Sequence, residues 1–469
     1  MKLINEVIEE LKAKQKEFDQ NKDHKAVLEC VHGYSNLMNT VPDDPQIIFQ
    51  LATAYLQLGH FGIASQLYHR TAEFWPAQSH LWSNLGVCYR AMHMIPKSSD
   101  CFMKALMCEE RAETYMNLAA TYINENVPER GIQYIEKALA MLPDNGKVKW
   151  NAALLYLELK DWFKGFTLFE SGLVSGERPM RFYTSDHEKD VAWWDGSENK
   201  TVALWDEQGL GDRILSYSLL RKLKDKNNVF IVECHDRLFQ IVKRSFPWIH
   251  HVYPTSKQEK LEWPVGFKLE AKLPIWSLAK LHWLGGDFDR TPYLVPNPEL
   301  VKKYREEIEK LGPPPYIAMS WTGGAPKTNT LYRALKLGWF KPLVECGGTW
   351  LSVQYHDFAQ DKVNRFREET KLPIFHLSAA QEKDYDHTLA ALAACDLTIS
   401  ACNTVIHTCG AAGLPCWVLV PQRRAWRYPR EEFFPWYGDH IRQFHQEKDG
   451  DWDEIIGRIA AELKEKFFT

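Results

Sequence analysis

Three short segments carry side chains suited to handling a charged small molecule. The first is Asp206-Glu207-Gln208-Gly209-Leu210-Gly211-Asp212, where two glycines follow an apolar run and allow a tight turn with close backbone approach. Asp212 then falls at a helix start, where a carboxylate either projects into a cleft or serves as an ordinary N-cap. The second is Ser400-Ala401-Cys402-Asn403-Thr404-Val405-Ile406-His407, ending at Gly410-Ala411-Ala412-Gly413-Leu414-Pro415. Free N–H groups and the positive dipole end of a helix beginning at Asn403 and Thr404 make an anion site, and the Thr404 hydroxyl adds a donor. His407 lies one turn on, placed for a ligand contact or for a structural role. The third is Ser320-Trp321-Thr322-Gly323-Gly324, a glycine-rich strand exit with Lys327 and Arg333 close behind. Those cations suit a departing diphosphate, or they are solvated loop charges.

Two further clusters are weaker. Trp426, Tyr428, Phe433, Phe434, Trp436 and Tyr437 form the densest aromatic run, near Arg424 and Arg427. They suit stacking on a nucleobase or sugar, with loop packing as the alternative. Asp287-Phe288-Asp289 has the DxD form of metal-dependent transferases, but it sits outside the strand-end pattern and reads as a chance match. A full GxGxxG is absent from the glycine turn, which argues against a nucleotide-dependent oxidoreductase.

Alternating strands and helices position these motifs. Residues 201–207, 228–234, 316–321, 349–355, 373–377, 396–400 and 416–421 read as strands. Helices follow at Asp212 to about Lys226, at Cys402 to Ala412 and at Asp451 to Phe467. This βαβ texture predicts parallel sheets, with ligands at the carboxyl ends of the strands. Gly312-Pro313-Pro314-Pro315 is a hinge-like break, so two α/β domains are expected: 176–312, with a polar connector at its start, and 313–469.

The first 175 residues differ. Tyr55, Tyr89, Tyr122 and Tyr156 recur at spacings of 34, 33 and 34. Small residues (Ala52, Gly86, Ala119, Ala153) precede them by three, and Leu51, Leu85 and Leu118 are positioned to fill the space between units. Stacked helical hairpins resembling tetratricopeptide repeats are expected over 1–175, four to five in number, with the tyrosines in the core. Such an array implies a concave partner-binding surface.

Composition narrows the function classes. The 469 residues hold 57 basic and 61 acidic side chains, a net charge of -4, so no basic field for nucleic acid is present. No apolar run is long enough to span a membrane, and the N-terminus is a charged amphipathic pattern without a signal-peptide core. Ten scattered cysteines without CxxC pairs read as reduced thiols, which places the chain in the cytoplasm.

The order WWDG, ALWDEQGLGD, SWTGG, LSVQY, DLTIS-CNT-IH-GAAGLP-WVLVP and WRYP…FPWYGDHIRQF resembles bacterial proteins that join tetratricopeptide repeats to a heptosyltransferase-like (family 9) glycosyltransferase domain. The layout is similar to that of O-linked N-acetylglucosamine transferases. The resemblance implies an α plus α/β chain, an α-solenoid followed by a GT-B fold with two Rossmann-like domains, the second binding the donor. It implies inverting, metal-independent transfer from a UDP- or ADP-linked sugar to a hydroxyl of a protein or glycan held by the repeat groove. No bound cofactor is implied. Asp212 becomes the general base, and Thr322, Gly323, Lys327, Arg333, Gln354, Asn403, Thr404 and His407 the donor-binding set. Trp426, Tyr428 and Trp436 are the stacking candidates. Asn403 stands where many such proteins carry Asp, and an amide cannot accept a proton. The competing expectation is therefore a repeat scaffold on a degenerate, non-catalytic transferase-like domain.

Overall fold

The computed structural model describes residues 2–21, 24–181, 191–255, 268–323, 333–355 and 358–468. The chain forms two compact units, Met1–Leu155 and Tyr156–Thr469. The division falls inside the helix Gly146–Glu158, ahead of the 175 boundary expected from the repeat period.

The first unit is a run of antiparallel helix pairs: Lys2–Asn21 with His24–Thr40, Pro45–Gln57 with Phe61–Phe74, Ser79–Ala91 with Ile95–Cys108, and Ala112–Asn124 with Ile132–Met141. The start of the second pair shows the local logic. Asp44 accepts bonds from the Gln46 and Ile47 N–H groups at 2.9 and 3.2 Å, and Pro45 occupies the first helical position. Leu51, Leu85 and Leu118 are buried with Ala52 and Ala119, as the period requires. The period tyrosines divide, and Tyr156 is buried as expected. Tyr55, Tyr89 and Tyr122 are only half-buried, whereas Tyr34, Tyr68 and Tyr115 fill the interior. Tyr68 stays inside because its hydroxyl has partners in Thr53 Oγ1 at 2.9 Å and Asn84 at 3.0 Å.

The second unit holds two sheets. The first contains β1 (Ala192–Trp193), β2 (Thr201–Trp205), β3 (Val229–His235), β4 (His251–Thr255) and β5 (Ala271–Pro274), all parallel, in the order β1-β5-β2-β3-β4. The second contains β6 (Tyr316–Ser320), β7 (Thr349–Ser352), β8 (Ile374–His376), β9 (Leu397–Ala401), β10 (Cys416–Val420), β11 (Phe433–Phe434) and β12 (Gly438–His445). Its order is β11-β12-β10-β9-β6-β7-β8, parallel except at β11. Counted from β6, the parallel strands run 3-2-1-4-5-6, the order of doubly wound nucleotide-binding sheets. β6, β9 and β10 are buried along their whole length, which is why they read as apolar runs.

Boundaries inside this unit also move. The helix Pro298–Glu309 joins the second sheet's layer: Tyr304 is fully buried, and its hydroxyl meets His387 Nδ1 at 2.7 Å. The second lobe therefore begins near 298, ahead of the prolines at 313–315. The helix Trp162–Phe169 packs on the sheet-bearing unit through Trp276, Trp283, Phe288, Trp426 and Trp436. Among the described residues, no helix is long and apolar enough to cross a membrane.

Candidate functional site

In a parallel sheet, a crevice opens where adjacent strands send their connections to opposite faces. In the second sheet that point lies between β6 and β9, and a cavity of about 160 Å³ sits there. Ser320, Thr322, Gly323, Gln354, Asn403, Thr404, Tyr355 and Thr388 line it, with Leu210 and Arg237 from the first sheet's layer. Sites for drug-sized ligands span roughly 300–1,000 Å³, so this cavity by itself is smaller than such a site.

The floor is a neutral hydrogen-bond network. Gln354 Oε1 accepts from Ser320 Oγ and from the Trp321 and Thr322 N–H groups, each at 3.0 Å. Asn403 Nδ2 donates to Ser320 Oγ at 2.8 Å and to the Thr322 carbonyl at 3.3 Å. Asn403 Oδ1 caps the helix Thr404–Ala412 by accepting from the Val405 N–H at 2.9 Å. Gly323 is needed for this crossing, because a Cβ there would stand 2.7 Å from Asn403 Cβ. Asn403 and Gln354 thus hold two strand ends together. Thr322, Thr388 and Thr404, the last at the start of the helix, also line the cavity.

Arg237 supplies the positive charge. It follows β3 in the first sheet, and its Nε donates to the Lys383 carbonyl at 2.9 Å. Its guanidinium lies 4.5 Å from the Tyr355 ring centre and 5.4 Å from that of Tyr385. Sequence reading missed it. The available signal was its place just past a strand's carboxyl end, beside the strand that leads to Asp212.

Asp212 sits in the first turn of the short helix Leu210–Ser216 and does not line the cavity. Its Oδ1 forms an ion pair with Arg427 Nε, and Arg427 Nη2 donates to Gln208 Oε1 at 3.2 Å. The helix lies directly against Thr404–Ala412: a Cβ on Gly211 would meet His407 at 2.8 Å. Two acids upstream are consumed. Asp206 pairs with Arg213 and accepts from the Tyr217 hydroxyl at 2.5 Å and the His235 N–H at 2.8 Å. Glu207 is fully buried against Arg178, at 2.8 and 2.5 Å, and burial pushes its pKa up despite the guanidinium.

Three sequence expectations are corrected. His407 is 2% exposed, with Tyr437 and Tyr428 hydroxyls at 3.0 and 3.1 Å from its two ring nitrogens, and no ligand can reach it there. Burial, with help from Arg427 and Arg333, pulls its pKa down to about 3, so it is neutral. Trp426, Tyr428 and Trp436 are buried too, and they offer no stacking face. Trp436 packs 4.1 Å from Phe288 and 5.0 Å from Trp162, and its Nε1 donates to the Arg427 carbonyl at 2.9 Å. Their chemistry is packing because Trp162 and Phe166 arrive from a helix the sequence assigned to the repeats. Arg333 acts electrostatically on His407, Cys402 and Tyr428, and it is not among the described residues that line the cavity. Lys327 lies outside the described residues. Asp289 of the DxD pattern pairs with Arg221 at 3.1 Å, and no metal-ligand cluster occurs among the described residues.

Comparisons with known proteins fit the helical region most clearly. A tetratricopeptide repeat family model matches residues 112–145. With the helix pairs above, it establishes that the chain carries tetratricopeptide repeats, a fold that supports an interaction role. Protein FlbA of Caulobacter vibrioides is 23% identical over 447 residues, covering 90% of this chain and 73% of that protein. BBSome complex member BBS4 of Bos taurus is 27% identical over 117 residues, 25% of this chain and 22% of that one. Among solved structures, MamA aligns with 15% identity and a TM-score of 0.30, over 34% of this chain and 93% of MamA. Pseudomonas aeruginosa pilF aligns with 14% identity and a TM-score of 0.32, over 36% and 78%.

Proposed function

We propose that the second unit is a GT-B glycosyltransferase domain of the heptosyltransferase-like kind. It moves a sugar, with inversion, from a nucleotide-sugar donor to a hydroxyl of a protein or glycan that the repeats select. The observation that carries this reading is the cavity at the switch point of a 3-2-1-4-5-6 sheet, with the first sheet's Leu210 and Arg237 in its wall.

The acceptor hydroxyl attacks the anomeric carbon, its proton passes to Asp212, and the bond to the diphosphate oxygen breaks. Arg427 holds Asp212 Oδ1, and Oδ2 is the oxygen left, among the described residues, to take the proton. Thr404 and the helix start face the charge that develops on the diphosphate. The scheme requires no metal. The donor is UDP- or ADP-linked.

A second reading, a repeat scaffold on a binding-only domain, is favoured by the Asp212–Arg427 ion pair and by the structural employment of Asn403 and Gln354. Calorimetric titration with ADP-, UDP-, GDP- and CMP-linked sugars, paired with an assay of donor turnover, separates the two. Turnover that vanishes in Asp212→Ala while donor binding persists supports transfer. Binding without turnover in the wild type supports the scaffold. Full turnover in Asp212→Ala removes the base assignment.

A further inference from the structure

Arg237 is a built feature rather than a surface cation. One face of its guanidinium meets Tyr385, a buried ring whose hydroxyl accepts from Thr408 Oγ1 at 3.2 Å. The other contact is Tyr355, which is 61% exposed at the cavity. Nε is spent on the Lys383 carbonyl. Nη1 and Nη2 have no hydrogen-bond partner among the described residues. A guanidinium held by two rings and one carbonyl has little rotamer freedom left to lose, and its remaining N–H groups match two oxygens of an oxyanion.

We propose that Arg237 is the phosphate-binding residue of the switch-point cavity, gripping a diphosphate from the first sheet while Thr404 meets it from the second. The inference rests on the reading that this cavity takes a phosphate-bearing ligand. It adds a residue, and it makes ligand binding a bridge between the two sheets. Tyr385 fixes the guanidinium plane, and Tyr355 is a positioning residue that covers the guanidinium.

The test is calorimetry on the full chain with inorganic pyrophosphate, ADP, UDP, adenosine and uridine as separate probes. Arg237→Ala is expected to weaken pyrophosphate and both diphosphates by roughly tenfold or more, the scale of a lost charge-assisted hydrogen bond. Nucleoside affinity should not change. Arg237→Lys keeps the charge without the fork and should fall between. Tyr355→Ala, which removes the covering ring, should weaken pyrophosphate and both diphosphates less than Arg237→Ala does. Equal weakening of nucleosides and diphosphates would show that Arg237 props the cavity open and overturn the proposal. Diphosphate binding that is unchanged in Arg237→Ala overturns it alone and leaves the transferase reading standing. Pyrophosphate binding that depends on Arg237, with no nucleotide bound by the wild type, sustains the clamp and sinks the nucleotide-sugar reading. A wild type that binds none of the probes overturns both.

Discussion

The two sheets of the second unit share a strand order at their centres but differ at their carboxyl ends. In the first, β4-β3-β2-β5 repeats the 3-2-1-4 pattern that β8-β7-β6-β9 shows in the second. The first crest is sealed by charge. Asp206 and Glu207 sit just past β2; Asp206 is met by Arg213, the Tyr217 hydroxyl and the His235 N–H, and Glu207 by Arg178 through one carboxylate oxygen. The second crest is held by neutral groups, Ser320, Gln354 and Asn403, whose short side chains leave a cavity beside them. Topology offers a crevice at both places. The side chains at the crest decide whether it stays open.

The comparison can be broken most forcefully at the sealed crest. Arg178→Met should strand buried Glu207 and cost about 3–5 kcal/mol, read from urea unfolding. A loss under about 1 kcal/mol would mean that the crest is not sealed by this pair. Next comes the aromatic loop, the other closed region. Trp436→Ala should cost about 3 kcal/mol or more, from the cavity it leaves. Diphosphate affinity should stay at the wild-type value, whereas a stacking role would abolish it.

His407 gives a pH test. Its folded pKa of about 3 lies below the ordinary value of 6.5. Between those values the unfolded chain binds a proton that the folded chain refuses. Stability contributed by neutral His407 is full above the ordinary value and is lost as pH falls toward the folded one. The slope is at most ~1.4 kcal/mol per pH unit, and it should disappear in His407→Asn when unfolding is followed from pH 7 to pH 4. An unchanged slope would place the ring in water. The smallest effect is expected at the open crest. Asn403→Ala removes a cap and a clamp and should cost about 1 kcal/mol, with diphosphate binding weakened alongside. Unaltered binding would show that the crest does not depend on the clamp for its shape.

Periodicity made the repeats legible, because stacking requires the same small and large residues in every hairpin. Buried parallel strands were legible for a related reason: β6, β9 and β10 are covered on both faces and must be apolar throughout. β12 (Gly-Asp-His-Ile-Arg-Gln-Phe-His) was not found, since its polar and apolar residues interleave beside the short β11. β4 carries Pro254 and lies at a sheet edge, where strand signals are weak. At the site, Thr322, Gly323, Gln354, Asn403 and Thr404 were found because they follow strands of one sheet closely in sequence. Arg237 was not, because it approaches from the other sheet.

From the sequence alone came the hairpin period, the two α/β segments and the strand-end residues of the second sheet. Each is a local pattern dictated by burial along one element. Only the tertiary structure decided which side chains face a cavity and which are spent. His407, Trp426, Tyr428 and Trp436 have the residue types of ligand contacts, yet packing from a distant helix and loop closes over them. Arg427 reaches Asp212 and Arg237 reaches the second sheet across more than a hundred residues of chain. Pairings of that range depend on how layers meet, which no single segment encodes.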